Sequence, residues 1–353
     1  MSDSEAPTGR NSRRLLRLQG DPRVAAFGWT LLAATAILFP LVQPPHIVAL
    51  ATLAFAYAVA IVGLNMLTGF AGQVSLAQSV FVAAGAYITA ILVQRHGWPF
   101  MATIPVVMAV AFILGVLVGI PAMRLSGIYL AVVTFSLGLL VPPIIIRLEP
   151  WTAGANGMPI TRKMVPAGGL ASDQWKYYIA FAFTCAAFYL VRNIQRGGLG
   201  RALVLMRSNP LVAAAMGVDA ARLKVLAFAW SAVLAGVCGS LMALVDEFVA
   251  PQTFTFMLSV LLLVGSVIGG INSIVGALIG GLILVILPQL TDRAGLGWVG
   301  VIYGAAVVGV IMVAPNGITG LAQTAARRLL DMIGRRTSGR SLEAAPTSQE
   351  HRA

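Results

Sequence analysis

The sequence predicts an all-α protein, a polytopic bundle of about ten transmembrane helices, and two observations support this prediction. The chain of 353 residues is 58% hydrophobic and only 10% charged, which is the balance of an integral membrane protein. Residues 24–94 contain no Asp, Glu, Lys or Arg, and this run is far longer than the roughly 20 residues of one span. Such a run must contain at least two helices joined by a turn.

Ten apolar segments account for the predicted bundle. The pair that covers residues 254–290 has two readings, because Gly269, Gly270 and Asn272 also fit a short re-entrant turn. Small residues four apart, such as Gly115 and Gly119, predict close packing between helices. The ten segments are residues 24–42, 46–68, 75–94, 99–122, 126–146, 177–192, 224–245, 254–270, 272–290 and 297–314.

The distribution of basic residues orients the bundle. The polar N-terminal tail, residues 1–23, holds five Arg and is predicted to be cytoplasmic. An even number of spans returns residues 322–353, a tail predicted to be disordered, to the same side. Eighteen of the 24 Lys and Arg then lie inside, as the positive-inside rule requires. The predicted transmembrane domain is residues 24–321.

The most polar internal segment, residues 191–224, contains six Lys or Arg and one acidic residue. Asn209 is a good N-cap, and Pro210 suits the first helical position. Gly217 is of the type that ends helices, so a short helix is predicted from Leu211 to Met216. A helix this short is marginal in water, and we expect it to pack on something. The alternative is a basic loop that only orients the protein.

A second unusual stretch, residues 63–87, interrupts the helical pattern at membrane depth. Two glycines predict a turn, and the spacing of Ser75 and Gln78 predicts a capping box that opens the next helix. Irregular backbone survives in a bilayer only where it is buried in protein or lines an aqueous path. The alternative is a structural role in capping and hydrogen bonding. The candidates for lining a translocation pathway are Asn65, Gly69, Gly72, Gln73, Ser75 and Gln78.

The longest predicted extracytoplasmic loop is residues 147–176. It mixes charged residues with aromatic ones, including Trp151 and Trp175. A connection of about thirty residues within a compact domain is usually functional or disordered. This loop is therefore a candidate docking site for a soluble partner.

Several classes of function lack their residues in this sequence. It contains neither the G-x-x-x-x-G-K-[ST] phosphate loop nor an H-E-x-x-H motif, and its three His are scattered. Cys185 and Cys238 lie in apolar spans without ligand spacing, so no metal, cofactor or catalytic site is expected. The net charge of +12 comes from span ends and tails, which favours membrane orientation over nucleic-acid binding. Ionisable groups are almost absent from the span interiors, so transport energy must come from elsewhere.

Further motifs occur in order between about residues 50 and 322. They are LN at 64–65, GFAGQVSL at 69–76, GAY at 85–87, RLSGIYLA at 124–131, TAGANG at 152–157, GRA at 200–202, YG at 303–304 and PNG at 315–317. As a set they resemble the LivM-type permease subunits of bacterial ABC importers for branched-chain amino acids. The family often carries acidic residues in a pattern like D-N-E-I-A-A-E-A-M-G, whereas residues 208–217 here are SNPLVAAAMG.

The resemblance implies that residues 193–223 form the coupling loop that ATPase subunits grip. Because its acidic residues are missing, attachment is expected to depend on apolar contact and on one arginine instead of carboxylates. The implied coupling residues are Arg207, Asn209, Pro210, Leu211, Val212, Met216 and Gly217.

The resemblance also implies the partners and the substrate. The partners would be a second homologous permease subunit, two cytoplasmic ATPase subunits and an extracytoplasmic substrate-binding protein, with no nucleic acid. The implied location is the bacterial inner membrane, with both termini in the cytoplasm. A branched-chain amino acid is the implied substrate, and urea or another small amide or acid is the alternative. A stand-alone secondary carrier or a membrane-embedded enzyme is disfavoured, because neither intramembrane charges nor a polar catalytic cluster is found.

Overall fold

The computed structural model describes Ala36, residues 38–125, 127–162, 171–271 and 273–292, Gly304 and residues 317–320. The chain divides into two compact units, residues Pro40–Thr319 and a second unit formed by residues 1–39 and 320–353. The predicted tails and the span at 297–314 lie almost entirely outside the described residues, as does most of the span at 24–42.

The unit Pro40–Thr319 is helical, and the prediction of an all-α polytopic membrane protein is confirmed. Eight of its helices coincide with predicted spans. The numbered helices are α1 Pro45–Asn65, α2 Gln78–His96, α3 Phe100–Arg124, α4 Ile128–Arg147, α5 Ser172–Arg196, α6 Gly198–Ser208, α7 Pro210–Ala215, α8 Ala220–Asp246, α9 Phe256–Gly269 and α10 Ile274–Asp292. A four-residue helix at Glu149–Thr152 and 3-10 turns at Gly154–Asn156 and Pro251–Phe254 lie between them. Among the described residues, α1 with the turn that follows it, α3, α4, α5 and α8 are long and apolar enough to cross a membrane.

Helix α8 is the centre of this unit and packs against α1, α2 and α3. Small residues allow the close approach. A Cβ added to Gly85 of α2 would lie 1.9 Å from the carbonyl oxygen of Gly236, and one added to Gly239 would lie 1.9 Å from that of Val82. On α3, a Cβ at Gly115 would come within 2.7 Å of Ala229. The predicted use of small residues at helix contacts is therefore confirmed for α3.

Helices α9 and α10 form a tight hairpin whose contact is also made by glycines. A Cβ on Gly269 would lie 1.9 Å from the carbonyl oxygen of Gly276, and one on Gly280 would lie 2.3 Å from that of Gly265. Helix α9 has only 14 residues, which gives a rise of about 21 Å at 1.5 Å per residue. That is less than the ~30 Å thickness of a hydrocarbon core.

The predicted extracytoplasmic loop is folded against the end of α2. The amide of Gln94 both donates to and accepts from Thr161, at 3.0 Å in each bond. The guanidinium of Arg95 donates to the carbonyl of Pro150 and lies 5.6 Å from the centroid of the Trp151 ring. Residues 163–170 of this loop lie outside the described residues.

The loop also contains a short strand that the sequence did not predict. Met158–Pro159 pairs antiparallel with Phe248–Val249, which directly follows α8. The carbonyl of Glu247 accepts a further 2.8 Å bond from the backbone N–H of Ile160. Strands of two residues leave too short a pattern of alternation to be recognised in a sequence.

Candidate functional site

The helical pattern breaks after α1, where the sequence predicts it. Residues Met66–Phe70 form a π-helical turn, and residues 71–77 are not helical. Gly72 has a φ of +68°, in the left-handed region that favours glycine. The N–H of Gln73 reaches back 3.1 Å to the carbonyl of Leu67 and closes the turn. Turns of π type inside helices are frequent at functional sites.

The predicted capping box at the start of α2 is wrong. Helix α2 begins at Gln78, and its N-cap residue is Ala77, which has no side-chain hydrogen bond. The hydroxyl of Ser75 instead accepts from the N–H of Ala77, at 3.3 Å. Other helices supply the partners that a capping box would have supplied, so tertiary contacts replace the local pattern here.

Three hydroxyl groups from three different helices bind the segment that opens α2. Thr134 of α4 accepts from the N–H of Leu76 at 3.0 Å, and Ser259 of α9 accepts from the N–H of Ser79 at 2.8 Å. Ser231 of α8 accepts a 2.8 Å bond from the side-chain amide of Gln78. These hydroxyl groups and the polar side chains of residues 73–79 form a cluster that we call the polar junction, and all of its side chains are buried. Its members are Gln73, Ser75, Gln78, Ser79, Thr134, Ser231 and Ser259.

The polar junction is incompletely hydrogen-bonded. The Oε1 atoms of Gln73 and Gln78 and the Oγ atom of Ser79 are buried and have no hydrogen-bond partner within the described part of the chain. Leaving one such group unpaired costs about 1–3 kcal/mol, and most buried polar groups in proteins are paired. Amide oxygens accept hydrogen bonds and a hydroxyl also donates them, so these atoms have free capacity for a polar solute or water.

Asn65 lies at a different place, beside the turn of the α9–α10 hairpin. Its Oδ1 accepts a 2.5 Å bond from the hydroxyl of Ser266, and its Nδ2 donates to the carbonyl of Ser273 at 3.3 Å. The hydroxyl of Thr319 donates to the carbonyl of Gly269 in the same region, at 2.8 Å. The side chain of Asn65 is thus fully engaged in holding the turn, which matches the structural alternative for this residue.

The short helix predicted in the basic segment, residues 191–224, is present as α7. Asn209 caps it by accepting from the N–H of Val212 at 3.2 Å, and Pro210 is its first residue. Gly217 follows with a φ of +76°, and the N–H of Val218 bonds the carbonyl of Ala213 at 3.0 Å, which closes the helix end. The helix ends at Ala215, one residue earlier than predicted.

The outer face of α7 is apolar and exposed. Leu211 is 83% exposed, Met216 is 72% exposed and Val212 is 43% exposed. Ala213 is fully buried and belongs to a hydrophobic cluster that holds the helix in place. The packing expected for so short a helix is therefore present, and it leaves one side free.

The same cluster contains helix α6, which the sequence analysis missed. Leu203 and Met206 of α6 are buried together with Leu67 of the π-helical turn and Phe228 of α8. Buried residues at a spacing of three along α6 are typical of an amphipathic helix, and this signal was present in the sequence. The basic residues around it hid the pattern.

Arg207, the last basic residue of α6, points towards the π-helical turn. Its guanidinium donates to the carbonyl of Gly69. A Cβ on Gly72 would lie 3.0 Å from Cγ of Arg207, so the arginine stem occupies the space beside that glycine. Two predicted pathway residues, Gly69 and Gly72, therefore lie against the predicted coupling residue Arg207.

Several known transport proteins are similar to this chain. The chain is similar to the high-affinity branched-chain amino acid transport system permease protein LivM of Escherichia coli (strain K12), with 29% identity over 283 residues that span 73% of this chain and 67% of that protein. The same protein of Salmonella typhimurium matches with the same identity and coverage. The probable branched-chain amino acid transport permease protein LivH of Methanocaldococcus jannaschii is 32% identical over 141 residues, which are 37% of this chain and 44% of that protein.

No solved structure matches the chain significantly. The family model described as branched-chain amino acid transport system, permease component, matches residues 46–315, which is well over half of the sequence. The chain therefore belongs to the family of permease components of branched-chain amino acid transport systems.

Proposed function

We propose that this chain is one of two permease subunits of an ABC importer that carries branched-chain amino acids across the bacterial inner membrane. The observation that supports this most directly is the polar junction. It places buried amide and hydroxyl groups with spare hydrogen-bonding capacity inside an otherwise apolar bundle. Polar groups within a membrane protein are costly, and they usually mark a substrate path.

The pathway in this proposal follows residues 73–79 and the hydroxyl groups that bind them. The pathway is lined by three residues predicted from the sequence, Gln73, Ser75 and Gln78. It is also lined by two residues that the sequence did not indicate, Ser231 of α8 and Ser259 of α9. A zwitterionic amino acid needs acceptors for its ammonium group and donors for its carboxylate. Amide oxygens supply the first and hydroxyl groups the second. Gly69 and Gly72 shape the turn before this segment, and Asn65 is assigned to the hairpin turn.

The partners in this proposal are those that the family resemblance implies. Two ATPase subunits bind α7 from the cytoplasm, because Leu211, Val212 and Met216 offer them an apolar surface. Asn209, Pro210 and Gly217 shape this helix. A second permease subunit completes the pathway, and an extracytoplasmic binding protein delivers the substrate to the loop 147–176. Both termini are cytoplasmic in this arrangement, with the basic residues in excess on that side.

Uptake measurements test the proposal. The chain is expressed with its ATPase, permease and binding-protein partners in cells that lack their own branched-chain amino acid importers, and uptake of radiolabelled leucine is measured. We expect ATP-dependent uptake that unlabelled isoleucine and valine compete for and urea does not. Competition by urea instead would favour the small-amide alternative. Uptake by this chain alone in proteoliposomes would identify a secondary carrier and contradict the proposal.

Substitution of the junction separates a pathway role from a structural one. Gln73→Leu removes a buried oxygen that has no partner, so folding should tolerate it while uptake per molecule falls at least tenfold. Gln43→Leu, which changes an exposed amide on the turn before α1, is the matched control and should leave uptake unchanged. A loss of abundance with normal uptake per molecule would assign Gln73 to the fold and contradict the pathway.

A further inference from the structure

We propose that Arg207 is a positioning residue that transmits movement of the coupling helix α7 to the polar junction. The inference rests on the proposed function and concerns how the ATPase partners reach the pathway. Sequence resemblance places Arg207 at the ATPase surface. In the structure Arg207 is an exposed residue near the end of α6, and its guanidinium binds the carbonyl of Gly69.

The contact gives a partner to a carbonyl group at the end of a helix. Carbonyl groups at the end of a helix lack partners within that helix, and α1 ends in the π-helical turn that contains Gly69. A cationic donor at this end is favoured both by the helix dipole and by the strength of charge-assisted hydrogen bonds. Arg207 is therefore suited to bind the carbonyl of Gly69, because a neutral donor would form a weaker hydrogen bond there.

Gly72 makes room for this contact. Its φ is +68°, and it has no side chain in the space that the stem of Arg207 occupies: a Cβ on Gly72 would lie 3.0 Å from Cγ and 3.3 Å from Cδ of Arg207. The next residue, Gln73, carries a buried unpaired oxygen of the polar junction. Only three residues, 70–72, thus separate the carbonyl that Arg207 holds from the start of the junction.

Apolar packing makes the group formed by α6, α7 and the π-helical turn stiff. Helix α6 contacts the π-helical turn, and Leu203 and Met206 share one buried cluster with Leu67 and Ala71. Ala213 of α7 belongs to the same cluster. Packed interiors deform little, so a displacement of α7 moves α6 and the π-helical turn with it. The hydrogen bond from Arg207 to Gly69 then makes the π-helical turn move together with α6 and α7.

The experiment compares transport with ATP hydrolysis in the complete importer, reconstituted in proteoliposomes. Arg207→Ala should keep its ATPase subunits and hydrolyse ATP within twofold of the wild-type rate, while leucine uptake per ATP falls at least tenfold. Arg207→Lys, which keeps a cationic donor, should recover a large part of the uptake. Arg192→Ala changes an exposed arginine of α5, outside the coupling loop, and should have no effect. Equal losses of hydrolysis and uptake in Arg207→Ala would overturn the inference, as would no loss of either.

A second measurement does not depend on any transport activity. Amide hydrogen exchange is followed in the full-length chain in lipid nanodiscs, at the N–H of Gln73 that bonds Leu67. Arg207→Ala should raise its exchange rate at least tenfold, whereas Arg192→Ala should leave it unchanged. An unchanged rate in Arg207→Ala would refute the inference even if the chain imports leucine. A wild-type complex that fails to import leucine would refute the proposed function alone.

Discussion

The hydroxyl of Ser266 donates a 2.5 Å hydrogen bond to the side-chain oxygen of Asn65, and this bond joins the end of α1 to the α9–α10 hairpin across 201 positions of sequence. Both side chains are buried. The amide nitrogen of Asn65 is used as well, because it donates to the carbonyl of Ser273. One asparagine therefore satisfies groups on both sides of the hairpin turn.

Asn65→Ala should destabilise the protein by about 1–3 kcal/mol, because the buried hydroxyl of Ser266 and the partly buried carbonyl of Ser273 both lose this partner. Thermal unfolding of the detergent-purified chain measures the effect. Ser266→Ala should cost a similar amount, and the double variant less than the sum, since both remove the same bond. Asn193→Ala changes an exposed asparagine and should melt like wild type. An unchanged midpoint for Asn65→Ala would exclude its role in holding the turn.

Gly239→Ala should abolish stable folding, because the new Cβ would lie 1.9 Å from the carbonyl oxygen of Val82 on the neighbouring helix. Backbone cannot move aside as a side chain can, so we expect a cost of about 3 kcal/mol or more. Gly198→Ala is the matched control, since a Cβ there meets no atom within 4 Å. Abundance in membranes and the unfolding midpoint measure both. Equal abundance of the two variants would contradict the packing of α2 against α8.

Gly72→Val should severely reduce folding or transport, for two reasons that can be measured separately. A β-branched residue is strained at a φ of +68°, and its Cβ would press against Arg207 at 3.0 Å. Gly217→Val has the strain without the contact, because φ is +76° and no atom lies within 4 Å. The unfolding midpoint should therefore fall further for Gly72→Val. Wild-type abundance and uptake in Gly72→Val would identify the turn as an ordinary flexible loop.

Replacing Leu211 and Met216 together by Asp should release the ATPase subunits and abolish uptake, while the chain still inserts in the membrane. The loss comes from apolar burial, at about 1.5–3 kcal/mol for each fully buried side chain, so low salt should not restore binding. Pull-down of the ATPase subunits from solubilised complexes measures it. Ser208→Asp adds a charge next to α7 without removing apolar surface, and it should retain them. Retention at wild-type level by the double variant would rule out this surface.

Cysteine labelling should place both tails on the same side of the membrane as Asn209 and place Asn156 on the other side. Single cysteines at Ser4, Asn156, Asn209 and Ala345 are labelled with an impermeant maleimide in intact and permeabilised cells. The background variant is Cys185→Ser, because Cys185 is exposed, whereas Cys238 is buried and can stay. Labelling of positions 156 and 209 from the same side would refute the ten-span topology.

The sequence predicted those features whose causes lie close together in the chain. The cap of α7 needs only Asn209 and the following three residues, and its end needs only Gly217. The spans follow from apolar composition, which is a local property. Both kinds of feature were therefore recovered to within a few residues.

The polar junction could be predicted only in part, because its hydrogen bonds join distant residues. Ser259 lies 180 positions from Ser79, and Thr134 lies 58 positions from Leu76. A lone hydroxyl in a charge-free run is the one signal that the sequence offers for such residues. The capping box failed for the same reason, since hydroxyl groups from other helices took the roles assigned to Ser75 and Gln78.

The short length of α9 constrains the order in which the protein assembles as it is synthesised. A helix of 14 residues is too short to cross the hydrocarbon alone, so we expect α9 to enter the bilayer together with α10, before the turn between them is fully bonded. Asn65 has already been inserted when the turn of that pair arrives. The carbonyl of Gly269, however, accepts its hydrogen bond from Thr319, a residue that is synthesised 50 positions later. Final closure of the hairpin turn is therefore one of the last events of biogenesis.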